Sequence, residues 1–193
     1  MPVMHASEVE KEGLRQVAEL MVVAARTAPK TRGVDEVVTA IVSGLEKDAI
    51  ADEMVKHGRR KGNFIDSFER DAENLRKSPF LLLIGVRGKM PKRPENPLNC
   101  GACGYETCSE LIRAEKKKGE DFEGPICVWH VVDLGIALSS AAKTAAELNA
   151  DNRLMYTVGA AAKALEIIDA DIIVGIPISA TGKNIYFDRG YRG

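Results

Sequence analysis

Aromatic side chains make up only 5% of these 193 residues, with a single tryptophan, which argues against a base-stacking platform for single-stranded nucleic acid. Charge of one sign is missing too. Twenty-seven lysines and arginines face 28 acids, for a net charge of −1, so no bulk field draws the chain to nucleic acid or to an anionic membrane. Histidine is rare. His5, His57 and His130 fall in separate elements, and no catalytic triad can be drawn from them. No Gly-x-Gly-x-x-Gly occurs. The Gly182-Lys183 pair fails as a phosphate loop, because Pro177 stands where the first glycine belongs and Asn184 replaces the hydroxyl. Long uncharged apolar runs are absent as well. The most apolar stretch, 128–148, carries His130, Asp133, Lys143 and Glu147, and reads as a buried helix rather than a membrane span. The opening residues, Met1 to Ala6, have no apolar signal-peptide core, so a soluble, cytoplasmic protein is expected, partnered by neither membrane nor nucleic acid.

Cysteine is also scarce, but its placement is informative. All four cysteines fall within 28 residues, as Cys100-x2-Cys103-x4-Cys108-x18-Cys127. A tight triplet with one later partner converges on a point, whereas disulfide frameworks spread their cysteines to staple distant loops. In a reducing compartment such a group favours metal over disulfide. Four thiolates suit a [4Fe–4S] cubane, one per iron. They equally suit a closed structural zinc. Gly101 and Gly104 permit positive φ and a close curl of backbone around a cluster. Cys108 is placed at a helix start, where an anionic thiolate is favoured, and Pro125 stiffens the chain returning to Cys127. His130 is read as a buried or rim histidine rather than as a ligand.

Around this module the periodicity predicts an α/β (or α+β) layer structure. Helices are expected over 6–27, 49–60, 67–77, 108–118, 131–149 and 152–168. Glu36 to Ser43, Phe80 to Val86 and Asp171 to Ile178 read as three buried strands, with the sheet covered on both faces. Residues 1–89 and 130–193 then form the body, and 90–129 an inserted cysteine module. The mixed charges from Arg113 to Asp121 read as a solvated helix end. The basic linker Arg87 to Arg93 is read first as a solvated loop and second as a guide for an acidic redox partner.

The run Cys100-Gly101-x-Cys103-Gly104-Tyr105-x-x-Cys108 with distant Cys127 resembles the four-cysteine [4Fe–4S] domain of electron-transport complex subunits and corrinoid iron–sulfur proteins. A second resemblance runs through Ala24 to Gly33, the strand after it, Asp133 to Ala137 and Gly175 to Ile178: these resemble the flavin-binding nitroreductase fold. Together they are similar to a prokaryotic family described as containing a ferredoxin domain. The resemblance implies a three-layer nitroreductase-like body with an inserted iron–sulfur module, Cys100, Cys103, Cys108 and Cys127 as its metal ligands, and a homodimer. It further implies FMN bordered by Lys30 and Arg32, with Lys183 and Arg189 toward its phosphate. The expected function is electron transfer from the cluster to a flavin, a substrate or a redox partner protein. The alternative is a zinc-stapled, non-catalytic binding or structural protein. This chain departs from the nitroreductase pattern: Lys30 replaces the serine after proline, an asparagine-glutamine pair is missing after Gly33, and so is an N-terminal arginine-serine-arginine signature.

Overall fold

The computed structural model describes residues 3–62 and 64–187. Helix α1 (Ala6–Thr27) buries Leu14, Ala18, Met21 and Ala25 at helical spacing and stops where Pro29 pushes Ala28 into an extended conformation. A short 3₁₀ turn (Thr31–Gly33) leads into β1 (Val37–Ser43). Then come α2 (Gly44–Lys61), α3 (Ile65–Lys77) and β2 (Phe80–Val86). After β2 the chain makes an excursion holding α4 (Cys108–Arg113), β3 (Lys117–Lys118) and β4 (Glu123–Gly124). It returns through α5 (Val128–Glu147), β5 (Asp151–Asn152), α6 (Tyr156–Ala164) and β6 (Ile172–Ser179). Among the described residues no helix is long and apolar enough to cross a membrane.

The main sheet has four strands in the order β1-β2-β6-β5, every pair antiparallel. Central β2 reads Phe-Leu-Leu-Leu-Ile-Gly-Val and is buried along its whole length. Its two faces serve two cores. Phe80, Leu82, Ile84 and Val86 point to the core built with α1 and α5, while Leu81 and Leu83 point to the core built with α2, α3 and α6. A strand buried on both faces has no polar alternation, which is why β2 is a continuous apolar run.

The sequence reading differs from this fold at the sheet edges. β1 is an edge strand, half-exposed, with Ile41 38% accessible, rather than the buried strand its β-branched residues suggest. The helix expected over 152–168 shrinks to α6, because Asp151 and Asn152 pair with Ser179 and Ile178 and Met155 bridges Gly175. The helix expected from Cys108 to Lys118 ends at Arg113, after which the chain turns into the β3–β4 hairpin. In both places tertiary pairing outweighs local periodicity.

Helix α6 lies close against β6. A Cβ built on Gly159 would stand 1.8 Å from the Ile173 carbonyl oxygen, and one on Gly175 would stand 2.2 Å from Val158 Cγ1. Neither position has room for a side chain.

Candidate metal centre

The excursion leaves and rejoins the body at one point. Asp171, at the head of β6, accepts the Gly88 N–H at Oδ2 (2.8 Å), and Gly88 O accepts the Cys127 N–H (2.8 Å). Gly88 is needed there because a Cβ would meet Ile126 Cβ at 2.8 Å. Cys127 is thereby held against the end of β2, at the N-cap of α5.

The triplet is shaped by three left-handed residues: Asn99 (φ 46°), Gly101 (φ 72°) and Gly104 (φ 87°). Asn99 turns its side chain back to accept the Cys108 N–H at 2.9 Å, and Gly104 N–H closes a turn on Gly101 O at 2.9 Å. Thr107 and Glu110 form a reciprocal capping box, so Cys108 is the first residue of α4, as its spacing implied. Cys100 is exposed, Cys103 half-buried, Cys108 and Cys127 buried, and all four are free thiols.

All four cysteines line one cavity, together with Leu98, Gly101, Tyr105, Leu111, Trp129 and the segment Pro91-Lys92. Burial pushes the Cys127 thiol up, while the Ala102 N–H holds the Cys100 thiol down. Trp129 Nε1 is buried with no partner among the described residues. A buried donor on a thiol-lined wall is what a thiolate or an inorganic sulfide would satisfy. The four thiols are soft donors of the number a cluster takes, and a Cβ on Gly104 would meet nothing within 4 Å. Among the described residues no three His, Cys, Asp or Glu side chains already grip a common point. His130, read from sequence as a non-ligand, is buried; its Nε2 donates to Met90 O at 2.7 Å and burial lowers its pKa.

The residues expected at a flavin are not brought together. Lys30 directs its ammonium to the carbonyls of Ala25 (2.8 Å) and Arg26, capping α1. Arg32, half-buried in a left-handed conformation (φ 57°), bonds to Asn96 O. Both precede β1, whereas Lys183 is exposed after β6. Because β1 starts opposite the end of β2 and the start of β6, these groups lie at opposite ends of the sheet, about 20 Å apart for seven-residue strands. Arg189 lies outside the described residues. Lys30 and Arg32, expected to border the flavin, are thus separated along the sheet from Lys183, expected at its phosphate.

Two ionic clusters escaped the sequence reading. In the first, fully buried Asp133 of α5 accepts both the Thr31 N–H and the Thr31 hydroxyl at Oδ1 (2.8 Å each), and Lys92 Nζ stands 2.6 Å from Oδ2. An acid inside the most apolar helix was the signal, since such a charge requires a buried partner. In the second, Asp121 of the β3–β4 hairpin sits among His57 (2.6 Å), Lys61 and Tyr156. Arg113 ends α4, and Glu115 and Lys117 to Glu120 are exposed, as a solvated helix end requires, but the last acid of the segment pins the hairpin to α2 and α6. Burial resists ionisation of Asp121, but Lys61, Tyr156 and His57 outweigh it and hold the carboxyl below its ordinary value. Burial likewise opposes charge on Lys61, and the Asp121 contact overcomes it and raises that pKa.

A depressed carboxyl stabilises the folded state above its unfolded pKa, about 3.9, and that contribution fades as pH falls toward the folded value. The stability gap between wild type and Asp121→Asn, measured by urea unfolding, is therefore expected to be constant above about pH 5 and to narrow below about pH 4. A gap independent of pH would show that the carboxylate charge does not hold the hairpin.

Residues 123–189 match the family described as "Uncharacterized protein containing a ferredoxin domain (DUF2148)". That stretch includes Cys127 but not the triplet. A protein of Archaeoglobus fulgidus, described as "Uncharacterized protein", is 44% identical over 189 residues, spanning 96% of this chain and 97% of its own length. Among solved structures, nitroreductase CinD from Lactococcus lactis in complex with nicotinic acid superposes with TM-score 0.58 at 14% identity, over 88% of this chain and 79% of that one. The FMN-dependent nitroreductase NfnB from Mycobacterium smegmatis, in complex with NADPH, superposes with TM-score 0.55 at 12% identity, over 93% and 84% of the two chains. At these identities the likeness is one of fold, and the fold is nitroreductase-like.

Proposed function

The chain belongs to the family of proteins containing a ferredoxin domain, and on that premise we propose that it is an iron–sulfur oxidoreductase or electron-transfer protein. Its four cysteines would hold a [4Fe–4S] cluster that exchanges single electrons with a flavin or substrate on the nitroreductase-like body. The observation that carries this reading is the gathering of Cys100, Cys103, Cys108 and Cys127, all free, on the wall of one cavity.

The chain's own residues have definable tasks. Asn99, Gly101 and Gly104 curl the triplet, Gly88 and Asp171 tether Cys127, and Trp129 supplies a buried donor. A flavin shared by the 30–33 turn and the Lys183 loop would require a second copy of the chain, because one copy holds them at opposite ends of the sheet. The dimer is part of this proposal.

Anaerobic purification followed by iron, sulfide and zinc analysis tests the assignment. About four irons and four sulfides per chain, with broad visible absorption, is the expected result. A colourless protein with one tightly held zinc overturns it and favours the structural reading. A two-banded flavin spectrum in the same sample would support the second cofactor.

A further inference from the structure

We propose that the Trp129 indole N–H donates a hydrogen bond to the Cys100 sulfur of the loaded centre and raises its reduction potential; this rests on the iron–sulfur reading above. Trp129 is the chain's one tryptophan, and it lines the cavity that the four cysteines share. Its Nε1 is buried with no hydrogen-bond partner among the described residues. The Ala102 N–H and the Trp129 side chain both lie next to the Cys100 sulfur.

The sequence accounts for this placement. Cys127 caps α5, and Trp129 is the second residue of that helix. Its backbone N–H lies next to the Cys127 sulfur, while its ring reaches back to the first cysteine. One residue thus spans both ends of the constellation. Packing alone is a weak reason for tryptophan there. Phenylalanine would fill an apolar wall without burying a donor, and a buried N–H left unpaired costs its full desolvation. A sulfur carrying negative charge would satisfy it, because hydrogen bonds to an ionised acceptor are about twice as strong as neutral ones.

One electron, supplied by dithionite as it is oxidised to sulfite, turns one ferric site ferrous and adds one unit of negative charge. Hydrogen bonds to the sulfurs favour the more negative state. Cys100 is exposed, so water weakens the influence of a distant charge there, whereas the indole acts at contact.

The test is a redox titration of the anaerobic, iron-loaded protein with dithionite, followed by visible bleaching. It compares wild type, Trp129→Phe, and the wild-type sequence produced with β-(3-benzothienyl)alanine in place of tryptophan. Because the chain has one tryptophan, that analogue exchanges a single N–H for sulfur and keeps the shape of the ring. At the wild-type midpoint both altered proteins should show a reduced-to-oxidised ratio about fivefold lower, a negative shift of about 40 mV at about 59 mV per decade for one electron. The analogue protein decides the matter if Trp129→Phe does not fold or load. An unchanged midpoint in the analogue protein would make the tryptophan a packing residue and overturn the proposal. Wild-type protein that carries zinc or no iron, established before any titration, would instead overturn the iron–sulfur reading and this proposal with it.

Discussion

On the iron–sulfur proposal, replacing Cys103 with serine is expected to abolish nearly all iron binding while leaving the body folded. Cys103 is half-buried on the cavity wall, and a serine oxygen is a poor substitute for thiolate on iron. Neither hydrophobic core includes any of the four cysteines. Iron should fall from about four per chain to below one, visible absorption should vanish, and far-ultraviolet circular dichroism should keep its helical shape. Wild-type iron and sulfide in the serine variant would sink the ligand assignment. Loss of a single zinc together with unfolding would point to a structural metal, because binding energy at such sites is folding energy.

The second large effect lies far from the cysteines. Gly159→Ala should destabilise the protein by about 3 kcal/mol, since overpacking typically costs 1–3 kcal/mol and here the obstacle is backbone. The added Cβ would stand 1.8 Å from the Ile173 carbonyl oxygen and 2.5 Å from its carbon, so α6 must lift from β6 or the strand must shift. Helix propensity pulls the other way, favouring alanine over glycine by about 1 kcal/mol. The clash wins because both partners belong to a packed interior: Val158, Ala160, Ala161, Ala162 and Ile173 are all fully buried. For a chain of this size the melting temperature should drop by about 6–12 °C. An unchanged or raised melting temperature would mean that propensity dominates and that α6 does not sit as close as the structure has it.

These two sites differ in how far they could be read in advance. The cysteine spacing and its glycines are local, because residues close in sequence are necessarily close in space. That is why the cavity holds the four expected residues. β2 was equally plain, since seven consecutive apolar residues can be satisfied only between two cores. Gly159 carried no such mark. A glycine in an alanine-rich helix signals close packing in general, but its partner, Ile173, lies fourteen residues on and meets it only when α6 folds back on β6.

The ionic clusters make the same point more sharply. Asp121 sits in a charged run of ordinary surface appearance, and its partners come from α2 and α6. Lys92 lies in a proline-rich linker that reads as solvated, yet it is among the most deeply buried large side chains. Its burial depends on Asp133 and Val34, about forty and sixty residues away, with Thr31 completing the site. The flavin expectation shows the converse. Lys30 and Arg32 were expected beside a flavin and Lys183 at its phosphate, and antiparallel register sets the two groups at opposite ends of the sheet.

By itself, then, the sequence determined the layered α/β class, the doubly buried central strand and the cysteine module, because each is written in spacing along the chain. Tertiary structure alone decided which charges are buried, where the hairpin docks, how tightly α6 meets β6 and which cations can share a ligand. Those depend on side chains distant in sequence being desolvated together, and no local pattern records that.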